Sequence, residues 1–171
     1  MAPTLVSMLQ DRAQAHPEKI AFEYLRSNGE VADSLGYGDL LIRATLIAGY
    51  LQRRFGSGER MLLLFPPGLD FVTSLFGCLM AGMVAVPLAP PARRGSESLG
   101  LVAADSAASA ILGAGVHFER WRDGAGAGSR AAGLEWIAVE DIDAGYEAAW
   151  RAPAVSPGGL ALLQYTSGST R

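Results

Sequence analysis

The residues best suited to chemistry stand together at the end of the sequence. Thr166-Ser167-Gly168-Ser169-Thr170-Arg171 follow directly on an apolar run, Leu160-Ala161-Leu162-Leu163-Gln164-Tyr165. Residues 166–170 each offer a hydroxyl or a permissive glycine, so the backbone can fold tightly and aim N–H and O–H donors at one point. Such a concavity suits phosphate oxygens. Arg171 adds a permanent positive charge that could pair with a phosphate or carboxylate. The plain alternative is a polar turn. No G-x-x-x-x-G-K-[ST] sequence occurs in the chain, which disfavours a P-loop NTPase and requires a phosphate grip of another kind.

Other reactive residue types are sparse. Lys19 is the one lysine among 14 basic residues, and it lies just after Pro17, far in sequence from the loop. It reads as a solvated surface residue, as do His16 and His117, for which no partner motif exists. Cys78 is the single cysteine, which excludes an intrachain disulfide or a cysteine-based metal site. Its setting, Leu75-Phe76-Gly77-Cys78-Leu79-Met80, predicts a packed, inert thiol, and a reducing cytoplasm fits. Gly124, Gly126 and Gly128 are spaced G-x-G-x-G with no apolar strand leading into them, so they do not form a dinucleotide fingerprint. No catalytic side chain and no metal ligand is assigned.

The chain has 171 residues, half of them apolar, and a net charge of −3. That length suits one domain able to bury roughly 70% of the surface its unfolded chain exposes. The small net charge gives no reason to expect nucleic acid or a membrane surface as partner; small molecules or proteins fit better. Residues 71–92 carry no charge over 22 positions, but Gly77, Gly82, Pro87, Pro90 and Pro91 interrupt them, so they read as a helix followed by a strand instead of a membrane span. The N-terminus lacks a basic segment followed by an apolar one, as a signal peptide would need.

Alternating elements are expected to position the loop. Thr4 caps a first helix with apolar positions Leu5, Met8, Leu9 and Ala13, stopped by Pro17. Strands over 20–26 and 31–35 flank an Asn28-Gly29 hairpin turn. A second helix starts near Tyr37, with Leu40, Leu41, Ala44, Ile47, Ala48, Leu51 and Phe55 on one face, and ends at Gly56. The wholly apolar run 61–65 reads as a strand covered on both faces. A helix over 69–80 and a strand over 84–88 complete a β-α-β unit with an expected right-handed crossover. A loop at 90–95, a helix over 96–106 and a strand over 110–112 repeat the rhythm. Residues 123–133 read as a mobile glycine-rich loop, 136–139 as a strand, 141–150 as a short helix, 153–159 as a linker and 160–165 as the last strand. The expected fold is α/β: a mainly parallel, doubly wound sheet with helices on both faces and an early β-hairpin. Ligands in such sheets gather at the carboxyl ends of the strands.

Tyr165-Thr166-Ser167-Gly168-Ser169-Thr170 resembles the nucleotide-binding signature of the adenylate-forming superfamily, which includes acyl-CoA synthetases, peptide-synthetase adenylation domains and luciferases. Tyr37-Gly38-Asp39-Leu40 resembles an early helix start of that family. Gly68-Leu69-Asp70-Phe71, Gly77-Cys78-Leu79-Met80-Ala81-Gly82 and Ala85-Val86-Pro87-Leu88 resemble its first core motifs in order. Within the superfamily, Phe65-Pro66-Pro67-Gly68, Val86-Pro87-Leu88-Ala89-Pro90-Pro91, Leu163-Gln164 and Arg171 resemble the fatty acyl-AMP ligase branch. The resemblance extends over nearly the whole chain.

The resemblance implies an N-terminal subdomain of an adenylate-forming enzyme, spanning 1–171 and truncated after the phosphate-binding loop. It implies that Thr166, Ser167, Gly168, Ser169 and Thr170 hold the β- and γ-phosphates of Mg-ATP. A fatty acid carboxylate would attack the α-phosphate, and the acyl-AMP would pass to the phosphopantetheine thiol of an acyl carrier protein or a polyketide or peptide synthase module. The alternatives are a fragment of an acyl-CoA synthetase or of an amino-acid-activating adenylation domain, or a non-catalytic interaction module. The family's adenine-contacting segment, metal-binding acid, ribose-binding aspartate and catalytic lysine would all lie beyond Arg171. The 171-residue chain by itself is therefore expected to be inactive, and its exposed sheet edge to favour a homodimer.

Overall fold

The computed structural model describes residues 3–90, 98–125, 128–154 and 156–165. Helix α1 spans Leu5–Ala15, and its start is a capping box: the Ser7 N–H donates to Thr4 Oγ1 at 3.1 Å, and the Thr4 N–H donates to Ser7 Oγ at 3.0 Å. Both bonds satisfy donors that a helix start leaves free. The buried face is Val6, Leu9 and Ala13, not the expected stripe through Leu5 and Met8, which are 56% and 47% exposed. Both spacings obey helical periodicity, and tertiary contact chose between them.

Strands β1 (Ile20–Leu25) and β2 (Val31–Gly36) pair antiparallel. The Asn28-Gly29 turn joins them, with Gly29 at φ 84°. Phe22 meets Phe76 at a ring distance of 6.5 Å and ties this hairpin to the helices behind the main sheet. Helix α2 (Tyr37–Arg54) buries Leu40, Ala44, Ile47, Ala48 and Leu51, largely as its periodicity predicts. Helix α3 (Leu69–Ala81) ends at Gly82, whose left-handed φ of 76° lets its N–H donate back to the Cys78 and Leu79 carbonyls.

Strands β3 (Arg60–Leu64), β4 (Val84–Leu88), β5 (Ala110–Gly113) and β6 (Glu135–Ala138) form one parallel sheet in the order β4-β3-β5-β6. Helix α4 (Ser98–Asp105) connects β4 to β5, and α5 (Phe118–Ala125) stands between β5 and β6. The period-2 alternation of strands divides β3 between two cores. Met61 and Leu63 join α1, α2 and α3 on one side, whereas Leu62 and Leu64 join α4 and α5 on the other. Each of these four side chains is at most 1% exposed. Burying a leucine to that extent contributes about 1.5–3 kcal/mol, so β3 is the axis on which both layers depend.

Several expected elements differ. The expected glycine-rich loop over 123–133 is overlapped at both ends by helix: α5 continues to Ala125, and a 3-10 turn covers Arg130–Gly133. That turn is held by Trp136, whose indole N–H donates to the Ala131 carbonyl at 3.0 Å, five positions back, a side-chain contact that composition does not reveal. The expected helix over 141–150 is instead two 3-10 turns, Val139–Asp141 and Tyr146–Ala149, with Gly145 at φ 110° breaking the run. This stretch is a strap across α2 and α3. Trp150 donates to the Met80 carbonyl at 2.8 Å, and Gln52 exchanges two bonds with the Arg151 backbone at 2.8 and 2.9 Å. Residues 91–95 of the expected loop, and Ser96 and Glu97 of the expected helix, lie outside the described residues. No described helix is long and apolar enough to cross a membrane.

Candidate functional site

Strand β4 stands at one end of the sheet, and its free side receives residues 160–165. The Ala85 N–H donates to the Ala161 carbonyl at 3.0 Å, and the Leu163 N–H donates to the Ala85 carbonyl at 2.9 Å. Leu162 thereby lies opposite Ala85 in a parallel bridge. The expected last strand is thus reduced to a single bridge, and Leu160 and Leu162 are 57% and 40% exposed. Its direction is nonetheless that of β4. A chain parallel to β4 travels toward the carboxyl ends of the strands, the rim where ligands gather in open α/β sheets.

Alternation orients the side chains of this segment. Leu163 and Tyr165 pack on the α4-side core, while Leu162 stands level with Ala85, which belongs to the opposite core. Tyr165 Oη donates to Asp105 Oδ2 at 2.5 Å, reaching the last residue of α4 from 60 positions away. That hydrogen bond, followed by partial burial and the negative charge of Asp105, raises the phenol above its ordinary value of 10.0; a hydrogen bond with Ser106 acts in the opposite direction. The phenol is therefore protonated at neutral pH and available as a donor. Thr166, Ser167, Gly168, Ser169, Thr170 and Arg171, the expected phosphate loop, lie outside the described residues.

Among the described residues, one concavity lies at each end of the sheet's strands. The larger, about 470 Å³, opens near the starts of β3 and β4, among Leu5, Val6, Ser57, Met83 and Leu160. It has no charged side chain in its lining and sits at the amino-terminal ends of the strands, so it is ill suited to a triphosphate. The smaller, about 360 Å³, opens beyond the carboxyl ends of β5 and β6, lined by Arg43, Asp70, Thr73, Val116, Val139 and Glu140. There β3 leads into α3 on one face and β5 leads toward α5 on the other, which makes the crevice between them a topological switch point. Glu140 Oε1 accepts from the Gly115 N–H at 2.7 Å and ties together the exits of β5 and β6.

The remaining candidates divide cleanly. Lys19 and His16 are exposed. His117 stacks on Trp121 at 4.9 Å, a packing contact. Cys78 is fully buried, and loss of hydration pushes its thiol up to about 12, which makes it a poor nucleophile. Glu59, at the amino-terminal end of β3, is held below its ordinary value first by the Ser109 hydroxyl and then by the Gly56 N–H, far from the rim in this topology. Among the described residues no group of three His, Cys, Asp or Glu side chains could hold a metal ion. Asp105 is the participant that sequence reasoning missed. Nothing local marks it, since its partner is distant in sequence and the contact exists only once α4 and residues 160–165 lie on one face.

Residues 9–170 match the family described as AMP-binding enzyme. The chain belongs to the AMP-binding enzyme family. Among similar members, the medium-chain-fatty-acid–(acyl-carrier-protein) ligase JamA of Moorena producens (strain JHB) is 35% identical over 172 residues, which cover 98% of this chain and 29% of that protein. The long-chain-fatty-acid–AMP ligase FadD23 of Mycobacterium tuberculosis (strain CDC 1551 / Oshkosh) is 31% identical over 178 residues, 98% of this chain and 30% of that one. The crystal structure of a fatty acyl-adenylate ligase from L. pneumophila, in complex with acyl adenylate and pyrophosphate, superposes with a TM-score of 0.85 at 30% identity. It is matched over 98% of this chain and 28% of that one. The AMP-binding fold described above therefore corresponds to less than a third of these relatives' length. Within it, the family-like residues serve architecture: Gly68-Leu69-Asp70-Phe71 opens α3, Gly77 to Gly82 closes it, and Ala85 to Leu88 lies in β4.

Proposed function

We propose that this chain is the part of a fatty acyl-AMP ligase that presents the phosphate-binding loop, in an enzyme that activates a fatty acid with Mg-ATP. The observation that carries the reading is the parallel bridge of Leu162 to Ala85, which directs the chain to the carboxyl rim of the sheet immediately before Thr166. Similarity to ligases of fatty acids over 98% of the chain supports the choice of acid. In this reading, the hydroxyls and N–H groups of 166–170 receive the β- and γ-phosphates, and Arg171 adds positive charge where pyrophosphate leaves. Donors arranged beforehand lower the cost of the charge that develops on the leaving group. The fatty acid carboxylate attacks the α-phosphorus, the bond to the bridging oxygen of pyrophosphate breaks, and the acyl-adenylate forms. A carrier-protein phosphopantetheine thiol then attacks the acyl carbonyl, the bond from that carbon to the phosphate oxygen breaks, AMP leaves and the thioester forms, with a cytoplasmic setting to match.

The test is acid-dependent ATP–pyrophosphate exchange by protein expressed from the whole open reading frame that encodes these residues. Exchange with fatty acids and acyl transfer to a carrier protein are the expected results. Exchange with amino acids only would assign an amino-acid-activating domain, and transfer to free coenzyme A would assign an acyl-CoA synthetase. Purified 171-residue chain should show no exchange, because it contains no lysine other than Lys19, which stands between α1 and β1. Robust exchange by that chain would overturn this part of the reading.

A further inference from the structure

We infer that Tyr165 and Asp105 form a positioning pair that sets where the chain leaves the sheet and enters residues 166–171; the inference rests on the phosphate-loop reading above. Residues 160–165 are attached to the sheet by two backbone hydrogen bonds, both to Ala85. Past Leu163 the described backbone has no further bond to β4, and Gln164 is exposed. A segment held only that far back could swing at its tip, yet a displacement of about 1 Å at a reacting group can cost on the order of 100-fold in rate. The Tyr165 side chain supplies the missing attachment one residue before Thr166.

The acceptor is well supported. Asp105 ends α4, whose Leu99, Val102 and Ala103 are 0%, 2% and 0% exposed against the α4-side core. Ser106 extends that platform: its N–H and its hydroxyl both donate to the Val102 carbonyl, at 2.9 and 2.6 Å. The Arg26–Glu30 and Arg54–Glu135 ion pairs lie elsewhere and do not engage Asp105. A phenylalanine at 165 would keep the apolar contact with the α4-side core but could not hydrogen-bond to Asp105, so the hydroxyl has a role separable from packing.

The experiment uses protein from the whole open reading frame with Tyr165→Phe, Asp105→Asn, Asp105→Ala and the double variant Tyr165→Phe/Asp105→Ala. Two readouts are taken: KM for ATP and for fatty acid in pyrophosphate exchange, and amide hydrogen exchange of residues 163–171. Tyr165→Phe and Asp105→Ala should each raise KM for ATP by about tenfold, leave KM for the acid within about twofold, and speed amide exchange in 163–171, with melting unchanged. Asp105→Asn keeps an acceptor oxygen and should recover most of both effects. The double variant should be no worse than either single one, as expected for partners in one interaction. Unchanged amide exchange and ATP KM in Tyr165→Phe, or single effects that multiply in the double variant, would overturn the pair. Absence of acid-dependent exchange in the unaltered protein would instead overturn the proposed function, and the amide-exchange arm would still judge the pair.

Discussion

Substituting Gly77 by alanine sets two opposing effects against each other, and the structure decides the sign. Glycine inside a helix costs about 0.8–1 kcal/mol relative to alanine, so propensity alone predicts that Gly77→Ala stabilises α3 by that amount. Packing predicts the reverse. A Cβ on Gly77 would stand 2.6 Å from Ile47 Cγ2 and 2.7 Å from Ile47 Cβ, across the α2–α3 contact. Ile47 cannot rotate clear, since a β-branched side chain in a helix has one strongly preferred χ1 and its Cβ moves only with the backbone. The helices must separate by about 1 Å, and such overpacking costs about 1–3 kcal/mol. Ile47 is 4% exposed and packs in the core that includes Ala44, Met61 and Leu63, so the separation also loosens contacts beneath α2. The net expectation is destabilisation by about 1–2 kcal/mol, or roughly 2–8 °C in melting temperature for a chain of this size. Urea unfolding followed by tryptophan fluorescence measures it, and Ile47→Ala in the same background should relieve part of the added cost, giving a non-additive cycle. A Gly77→Ala protein more stable than the original would refute the close-approach argument and leave propensity as the governing effect.

Two further outcomes follow from the electrostatics. Cys78, with its thiol raised to about 12 by burial, should resist iodoacetamide at pH 8 in the folded protein and react fully in denaturant; comparable labelling rates in both states would contradict a fully buried thiol. Glu59 has a folded-state pKa below its ordinary 4.5, so its stabilising contribution is present above pH 4.5 and is lost as pH falls through the lower folded value. The stability difference between the unaltered protein and Glu59→Gln should accordingly be visible at neutral pH and shrink below pH 4.5; a difference that grew on acidification would reverse the assigned sign.

What could be read directly from residues was local and periodic. The Asn28-Gly29 turn, the α2 stripe from Leu40 to Leu51 and the doubly covered β3 each follow from side-chain spacing, because helix and strand repeat at 3.6 and 2 residues whatever surrounds them. The Thr4 cap of α1 is equally local. The hydroxyl-rich run after Tyr165 was legible as chemistry for the same reason: its residue types carry donors irrespective of fold.

Where a choice between comparable local options was needed, contacts distant in sequence made it. The buried stripe of α1 was settled by what lies beneath the helix, and the 141–150 strap by the reach of Trp150 to Met80 and of Gln52 to Arg151. Strand order is of this kind too: nothing within β5 states that it pairs with β3 instead of β4, since both are short, apolar and parallel. By itself the sequence determined most of the segments that form helix and strand. Only the assembled sheet decided that residues 160–165 lie along β4 and that Tyr165 meets Asp105, because a contact across 60 positions exists only once α4 and β4 are in place and follows from no preference of the residues it joins.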